Sequence, residues 1–545
     1  MAEKSKNMFL SGVLILSVSN IIIKIIGLMF KIPLTYIIGD SGMGYFNSAY
    51  TIYVWFYMIS TAGLPVAVSI MISEARAKGH FREVSRIFRV TLCMFLIIGA
   101  LGTALMMFGS RGFSALIGNE GARLSIVAIA PTLFFICISS AVRGYFQGFQ
   151  YMTPTAISQL IEAAGKLIFG IVLAMFAVNR YGNGQSELPR VAAYAIFGLD
   201  IAVFLGMLFL IFSLLRFRGR YSFAESDGGE VRSRGRIAAM IAKIAIPVTV
   251  SASVMSLTNL IDLSIVMRRL QSIGLSAEMS NAVWGNYSSL AVPMFNLPPI
   301  LIYPISYSIV PLLSGYIASG DREKAYRSMT AAMRICAIII LPMALGLSVM
   351  AEPILKLIYN VNSAQMAAPL LSVLALSVFF VGMISITNAI LQASGNERLP
   401  IISMVAGAVV KIISSTVLIG IPEIGIYGTP IGTFLCYMTT TVINFIFLSK
   451  YVDLTPKYGS VFVRPLISSA VCCLGAYGSY AAFARFAGVS SRLHNAAATA
   501  VAIVCAGLIY VVLTFLTKAV THDDIAMLPR GEKIYGVLCR MHLMK

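Results

Sequence analysis

The sequence predicts an all-α polytopic membrane protein of about fourteen transmembrane helices, arranged as two pseudo-symmetric six-helix lobes with two further helices appended. Three observations predict it. Hydrophobic residues make up 58% of the 545 residues and charged residues only 12%, about half of what a soluble domain carries. Apolar runs long enough to cross a bilayer recur from one end to the other. The first half of the chain is also echoed in the second at a near-constant offset.

The first run, 9–38, is longer than the roughly 20 residues that span a membrane. It holds Lys24 and Lys31, seven residues apart. On a helix that spacing puts both on one face, about 10 Å apart along the axis. A cation near mid-membrane costs on the order of 2.5–3.5 kcal/mol. Two on one stripe therefore predict a wet, protein-lined cavity suited to an anion. The run is too long for the apolar core of a signal peptide and no small-residue cleavage site follows it, so it is expected to stay as a span.

Further spans are predicted at 44–74, 85–108, 121–149, 154–179 and 189–215, completing a first lobe over 1–215. The stretch 216–236, polar and bearing Gly and Ser, reads as a linker. A second lobe, 237–450, takes spans at 237–267, 281–318, 326–350, 364–393, 399–419 and 425–449. Pro293, Pro298, Pro299, Pro304 and Pro311 crowd one of these runs, beside Asn296. Each proline removes a backbone donor and crowds the preceding turn, so 281–318 is expected to kink or unwind. Pro298, Pro299 and Pro304 are hinge candidates, with a static bend as the alternative. Runs at 461–484 and 495–517, within 451–518, have no counterpart in the first half and carry no charge mid-span. They read as an appendage facing lipid. The tail, 519–545, mixes apolar and basic residues and reads as a cytoplasmic amphipathic pair broken at Pro529.

The repeat is visible residue by residue. Ser17, Asn20 and Pro65 recur as Ser256, Asn259 and Pro304, and Gln147 and Lys166 recur as Gln392 and Lys411. Six spans per copy is an even number, so both copies face the same way, and substrate sites in such carriers lie between the copies near mid-membrane.

The net charge of +19 is concentrated in 76–89, 216–236 and 518–545. With a cytoplasmic N-terminus these all fall on the cytoplasmic side, with the C-terminus, as the positive-inside rule requires. The basicity is thus topological, and no nucleic-acid partner is expected. The eight cysteines fall mostly inside spans without C-x-x-C spacing, so core thiols are predicted, with no disulfide, metal or cofactor.

Within the spans, the informative bases are Lys24, Lys31, Arg143, Lys166 and Lys411, and the acids are Glu162, Asp200 and Asp262. Glu162 and Lys166 are four residues apart, a spacing that allows local neutralisation. Lys411 is the repeat image of Lys166, but Gly407 stands where the acid would be. Asp262 falls within one position of the repeat image of Lys24, and the two are expected to approach across the pseudo-twofold axis as a gating pair, a purely structural pair being the alternative. Asn20 and Asn259, repeat images of one another, are gating or ion-coupling candidates with these acids.

The stretch 143–159, RGYFQGFQYMTPTAISQ, resembles the R-G-x-x-Q-G signature of the polysaccharide transporter branch of the MOP exporter superfamily, in the pattern of its stage V sporulation protein B and Gram-positive lipid II flippase (MurJ-like) groups. Lys24-x-x-Gly27, Gly63-Leu64-Pro65, the Gly-Asp-Arg loop at 320–322 and Leu528-Pro529-Arg530-Gly531 extend the resemblance along the chain. It implies a MATE/MurJ-like pair of six-helix lobes in a bacterial cytoplasmic membrane, and alternating access that flips a polyprenyl-pyrophosphate-linked sugar. The Gram-negative relatives line their cavities with arginines from spans one, two and eight. Here span one offers Lys24, while 55–60 and 288–297 hold no base, which leaves Lys24, Lys31, Arg143, Lys166 and Lys411 as substrate-binding candidates.

The expected activity is therefore transport, not catalysis: a monomeric flippase whose partners are the lipid-linked sugar diphosphate and membrane lipids. Coupling to H⁺ or Na⁺ through Asp262, Glu162 or Asp200 is a further expectation. A multidrug cation antiporter of the same superfamily is the alternative, although it would favour an acidic cavity. A glycosyltransferase or ligase would need paired carboxylates or a metal site on an external domain, and no long external loop is present. A non-transporting scaffold for envelope assembly is the remaining reading.

Overall fold

The computed structural model of the chain describes residues 2–182, 184–220, 232–452, 458–488, 491–517 and 519–520. Most of the predicted linker and nearly all of the predicted amphipathic tail lie outside the described residues. Every regular element among them is helical. Eleven helices are long and apolar enough to cross a membrane, or up to twelve if a bent pair counts as one span. The count of fourteen read from hydropathy is not reproduced, and the first of the eleven shows one reason.

That segment, 22–77, is 56 residues long. It contains most of α1 (Ala2–Thr61) and all of α2 (Leu64–Ala77). α1 is interrupted at Gly39, with φ 67° and ψ −179°, a conformation closed to side chains with a Cβ. The rings of Phe30 and Phe46 meet there, 5.9 Å apart. On a straight helix they would be about 24 Å apart. The chain therefore turns back on itself at Gly39, and α1 is two limbs, 2–38 and 40–61, each long enough to span.

The contacts divide the chain into two units, Met1–Gly285 and Asn286–Lys545. In the first unit α3 (Phe81–Phe108), the short α4 (Ser110–Leu116), α5 (Arg123–Gly148), α6 (Thr153–Tyr181) and α7 (Leu188–Arg220) follow the hairpin. α6 packs along α7, and both rest against α1; α5 lies between α3 and α7. Small residues permit the close α6–α7 approach: a Cβ on Gly165 would come within 2.9 Å of the Ala202 side chain. α8 (Arg234–Ser272) packs on α1, α2 and α3 within this unit. Its apolar core gathers Leu64, Met71, Phe88, Phe95, Tyr145, Phe146 and Ile241.

Polar ties hold both ends of the first unit. At the basic end Arg232 pairs with Glu74 at 3.1 Å and Glu83 at 3.2 Å, and its carbonyl accepts from Arg86 at 3.1 Å. Lys78 pairs with the same Glu74 carboxylate at 2.6 Å. At the other end Asn119 donates to Asn281 at 2.7 Å, and Asn281 donates to the Ser41 carbonyl at 2.7 Å. Those bonds fix the chain just past the Gly39 turn.

The second unit opens on the proline-rich segment. After α9 (Ala277–Asn286), the backbone loosens into a π turn at Tyr287–Ala291, then α10 (Val292–Phe295), then a 3₁₀ turn at Pro298–Leu301. It bends by 41° before α11 (Tyr303–Ala318). The missing proline donors account for the break. Pro298 and Pro299 are buried at it and Pro304 is exposed in the first turn beyond.

α12 (Arg322–Val349), α13 (Ala351–Ile358), α14 (Val361–Ala393), α15 (Leu399–Ile419) and α16 (Gly428–Tyr451) form the rest of the second bundle. α17 (Tyr458–Ala487) and α18 (Arg492–Leu516) pair with each other and reach it through α12. The Tyr510 hydroxyl donates to the Ile338 carbonyl at 2.6 Å, while Leu508 and Leu516 point outward.

Candidate functional site

Inside the first unit, five segments converge on a cavity of about 440 Å³. The first limb of α1 contributes Asn20, Ile23 and Gly27, and the second limb Tyr50, Tyr53 and Tyr57. α5 supplies Thr132 and Arg143, α6 supplies Gln159, Glu162 and Lys166, and α7 closes the wall with Leu199, Ala202 and Val203. Helical spacing explains the hairpin's share. Residues 20, 23 and 27 follow one face of the first limb, as 50, 53 and 57 follow one face of the second. Lys24 and Lys31 lie on that same face of the first limb. Lys24 and Asn20 are exposed, and Lys31 is half-buried.

The charges inside the cavity are not arranged as the spacing suggested. Glu162 does not pair with Lys166, four residues on; its Oε1 is bonded by the Arg143 guanidinium from α5. Arg143 also donates to the Ser158 hydroxyl at 3.2 Å, and its Nε has no partner among the described residues. A guanidinium presents a planar fork to a carboxylate and gives up less hydration than an ammonium, which favours this pairing over the local one. Gly206 on α7 makes the room: a Cβ there would lie 2.6 Å from Glu162 Cγ.

Lys166 is left on aromatic faces. Its Nζ lies 5.0 Å from the centre of the Phe30 ring and 4.9 Å from that of Tyr50. Such contacts are worth about 0.5–2 kcal/mol to a cation. They also bridge the hairpin, because Phe30 belongs to one limb and Tyr50 to the other. The aromatic row continues from Phe46 through Tyr50 and Tyr53 to Tyr57, neighbouring rings 5.8 to 6.3 Å apart. Among the described residues the Lys166 ammonium makes no ion pair.

Asp200 of α7 is buried behind this wall, accepting from the Thr132 hydroxyl, with its Oδ2 unpartnered among the described residues. Asp262 is buried on α8 and Asn259 is exposed one turn earlier. Thus Asn20, Arg143, Glu162 and Lys166 share one cavity, and Asp200 touches it through Thr132. Lys24, Lys31, Asn259 and Asp262 do not line it.

Lys411 is buried on α15 in the second unit. The matching region there carries a different chemistry. At the offset that relates Lys166 to Lys411, Arg143 maps to Asn388, Ser158 to Ser403 and Glu162 to Gly407. Asn444 of α16 supplies the polar partner instead. It accepts from Ser403 at 2.6 Å and donates to Asn388 at 2.8 Å and to Thr387 at 2.9 Å. A charged pair in one repeat is a neutral amide network in the other.

Sequence reasoning missed Tyr50, Tyr53, Tyr57, Thr132 and Gln159 as lining residues. The tyrosines carry a signal, a hydroxyl-bearing stripe at helical spacing within an apolar run; Thr132 and Gln159 carry none.

The sequence and the fold both have known relatives. A family model described as polysaccharide biosynthesis protein matches residues 9–317, and one described as MatE matches residues 247–417. Stage V sporulation protein B of Bacillus subtilis is 22% identical over 537 residues, covering 96% of this chain and 98% of that protein. Lipid II flippase MurJ of the same organism is 23% identical, covering 82% of this chain and 84% of that protein. Among solved structures, a lipid II flippase MurJ in an inward closed conformation superposes with a TM-score of 0.66 at 15% identity, covering 92% of this chain and 98% of that one. An inward-facing multidrug resistance MATE family transporter of the MOP superfamily gives 0.65 at 16% identity, covering 79% and 94%. The chain belongs to the polysaccharide biosynthesis protein family, and its multi-pass helical fold is the one those flippase and transporter structures share.

Proposed function

We propose that the chain is a flippase that carries a polyprenyl-pyrophosphate-linked sugar from the inner to the outer leaflet by alternating access, and that the cavity of the first unit receives its anionic head. The observation that carries this reading is the seat of Lys166. A cation held only by ring faces can exchange those contacts for a phosphate oxygen at small cost, whereas one locked to a carboxylate cannot. Lys24 and Lys31, on the cavity-facing side of the first limb, add positive charge along the path, and Lys411 does so in the second unit. The tyrosine row offers flat faces and hydroxyls to a sugar. A diphosphate cannot cross hydrocarbon unaided, and the lipid tail needs no site as polar as this.

In this reading the broken segment at Pro298, Pro299 and Pro304 serves as hinge, and Asp200, Asp262 or Glu162 binds a coupling H⁺ or Na⁺. The second reading, a cation antiporter, is favoured by the buried carboxylates Glu162 and Asp200. Against it, Glu162 is already engaged by Arg143.

The test is reconstitution of the purified protein in vesicles with a fluorescent polyprenyl-pyrophosphate sugar on one leaflet. Movement to the other leaflet, abolished by Lys166→Met, is expected. No movement, together with ion-driven uptake of a cationic dye, would replace this reading with the second.

A further inference from the structure

We propose a second, separate ligand site on the first unit: a pocket between α6 and α7 that binds the phosphate head group of an anionic phospholipid in the leaflet on the basic side of the bundle. The pocket has a volume of about 260 Å³ and is lined by Tyr151, Thr153, Ser213, Arg216 and Phe217, with the apolar Pro154, Ile157 and Phe209 completing its wall. It shares no lining residue with the transport cavity.

Its polar groups are hydrogen-bond donors awaiting an acceptor. Among the described residues the Arg216 guanidinium has no ion pair, and neither the Ser213 nor the Thr153 hydroxyl has a bonding partner. Many helical Ser and Thr hydroxyls here return to the carbonyl one turn back, as Ser253 does at 2.6 Å and Thr61 at 2.7 Å, whereas these two do not. Thr153 opens α6, whose first turn no side chain caps. Three side-chain donors, with no carboxylate lining the pocket among the described residues, make a receptor for an anion.

The backbone around the pocket is held in place. Gln150 takes a positive φ of 59°, the only described non-glycine residue to do so, and this sharp turn lays Tyr151 over Phe217. Their rings stack at 5.8 Å with an interplanar angle of 18°. Arg76 anchors the end of α5 by donating to the Phe149 carbonyl at 2.9 Å. The pocket floor is thus built before any ligand arrives.

The surroundings decide between a lipid and a free anion. Beside Arg216, Phe212 is 62% exposed and Leu215 65%, and Ile157 on the opposite wall is 39% exposed. An anion here is bordered by hydrocarbon, and a phosphate that carries its own acyl chains satisfies both chemistries at once. Basic pockets between helices at a membrane face are suited to such head groups. The occupant is therefore a membrane phospholipid with net negative charge, for which phosphatidylglycerol is the probe.

The test uses the full chain in vesicles containing a photoreactive phosphatidylglycerol, followed by peptide mapping. Labelling is expected in 151–157 and 209–217, and labelling confined to other segments overturns the proposal. In detergent, titration by native mass spectrometry should show phosphatidylglycerol bound about fivefold more weakly by Arg216→Gln than by the native chain. Phosphatidylcholine should bind weakly to both. Equal affinity of the two proteins for phosphatidylglycerol overturns the assignment to Arg216. Inorganic phosphate that displaces the lipid at millimolar concentration, with no dependence on acyl chains, overturns the choice of a lipid. Leaflet transfer of the sugar diphosphate is not read in either experiment, so their outcome is separate from that of the flippase assay.

Discussion

Neutralising Glu162 while leaving Arg143 in place should weaken the fold and strengthen anion binding in the same variant. The Arg143 and Glu162 side chains are only 9% and 16% exposed. Breaking a buried ion pair by removing one partner costs about 3–5 kcal/mol, because the survivor keeps its charge without its counterion. This pair edges a cavity that water can enter, so the cost for Glu162→Gln is expected near the lower figure, about 2–3 kcal/mol. Removing both charges with Arg143→Met and Glu162→Gln should return stability to within about 1 kcal/mol of the native chain, since no lone charge remains. The coupling between the two sites is then about 2 kcal/mol or more. Unfolding of the purified protein, followed by fluorescence, measures all four corners of the cycle. Binding of a polyprenyl-pyrophosphate sugar, measured alongside, should tighten in Glu162→Gln, because Arg143 becomes free to meet the diphosphate. Additive effects of the two substitutions would refute the coupling, and unchanged or weaker binding in Glu162→Gln would refute the placement of Arg143 beside the substrate.

Three further predictions address the hairpin and the cavity. Lys166→Met should lower affinity for the lipid-linked diphosphate at least tenfold while costing the fold no more than about 0.5–2 kcal/mol of ring contacts, as binding and melting curves would show; an unchanged affinity removes Lys166 from the site. Gly39→Ala should destabilise by about 1–3 kcal/mol, and Gly39→Asn by as much, because this backbone conformation is open to glycine alone. No atom lies within 4 Å of an added Cβ, so any such loss comes from backbone strain rather than crowding. Asp200→Asn should preserve substrate binding but abolish the dependence of leaflet transfer on an H⁺ or Na⁺ gradient; retained dependence would assign coupling elsewhere.

Much of the fold was legible because membrane insertion leaves a strong trace in hydropathy. The first limb of α1 falls close to the run 9–38, the run 44–74 covers the second limb together with most of α2, and the proline cluster broke its helix where donors were missing. The charged site was harder to read. The four-residue spacing of Glu162 and Lys166 shows only that the two can meet, and a guanidinium on another helix held the stronger claim. That contact depends on how α5 lies against α6 and on the space left by Gly206, and neither leaves a mark in a single helix's sequence. The repeat was legible as an offset, but the replacement of Arg143 and Glu162 by an amide network was not. Its fourth member, Asn444, comes from a helix outside the matched positions.

The single-residue joint at Gly39 bears on how the chain enters the bilayer. Two limbs that meet at one glycine leave no loop on which the first can settle while the second waits in water, so they must insert together as a helical hairpin. Lys24 and Lys31 each raise the transfer cost of the first limb by about 2.5–3.5 kcal/mol at mid-bilayer depth. The second limb, arriving in the same event, contributes apolar residues of its own to the partition that decides insertion. The two limbs thus form a paired unit for insertion, and a spacer placed after Gly39 is expected to expose the first limb to rejection by the insertion machinery.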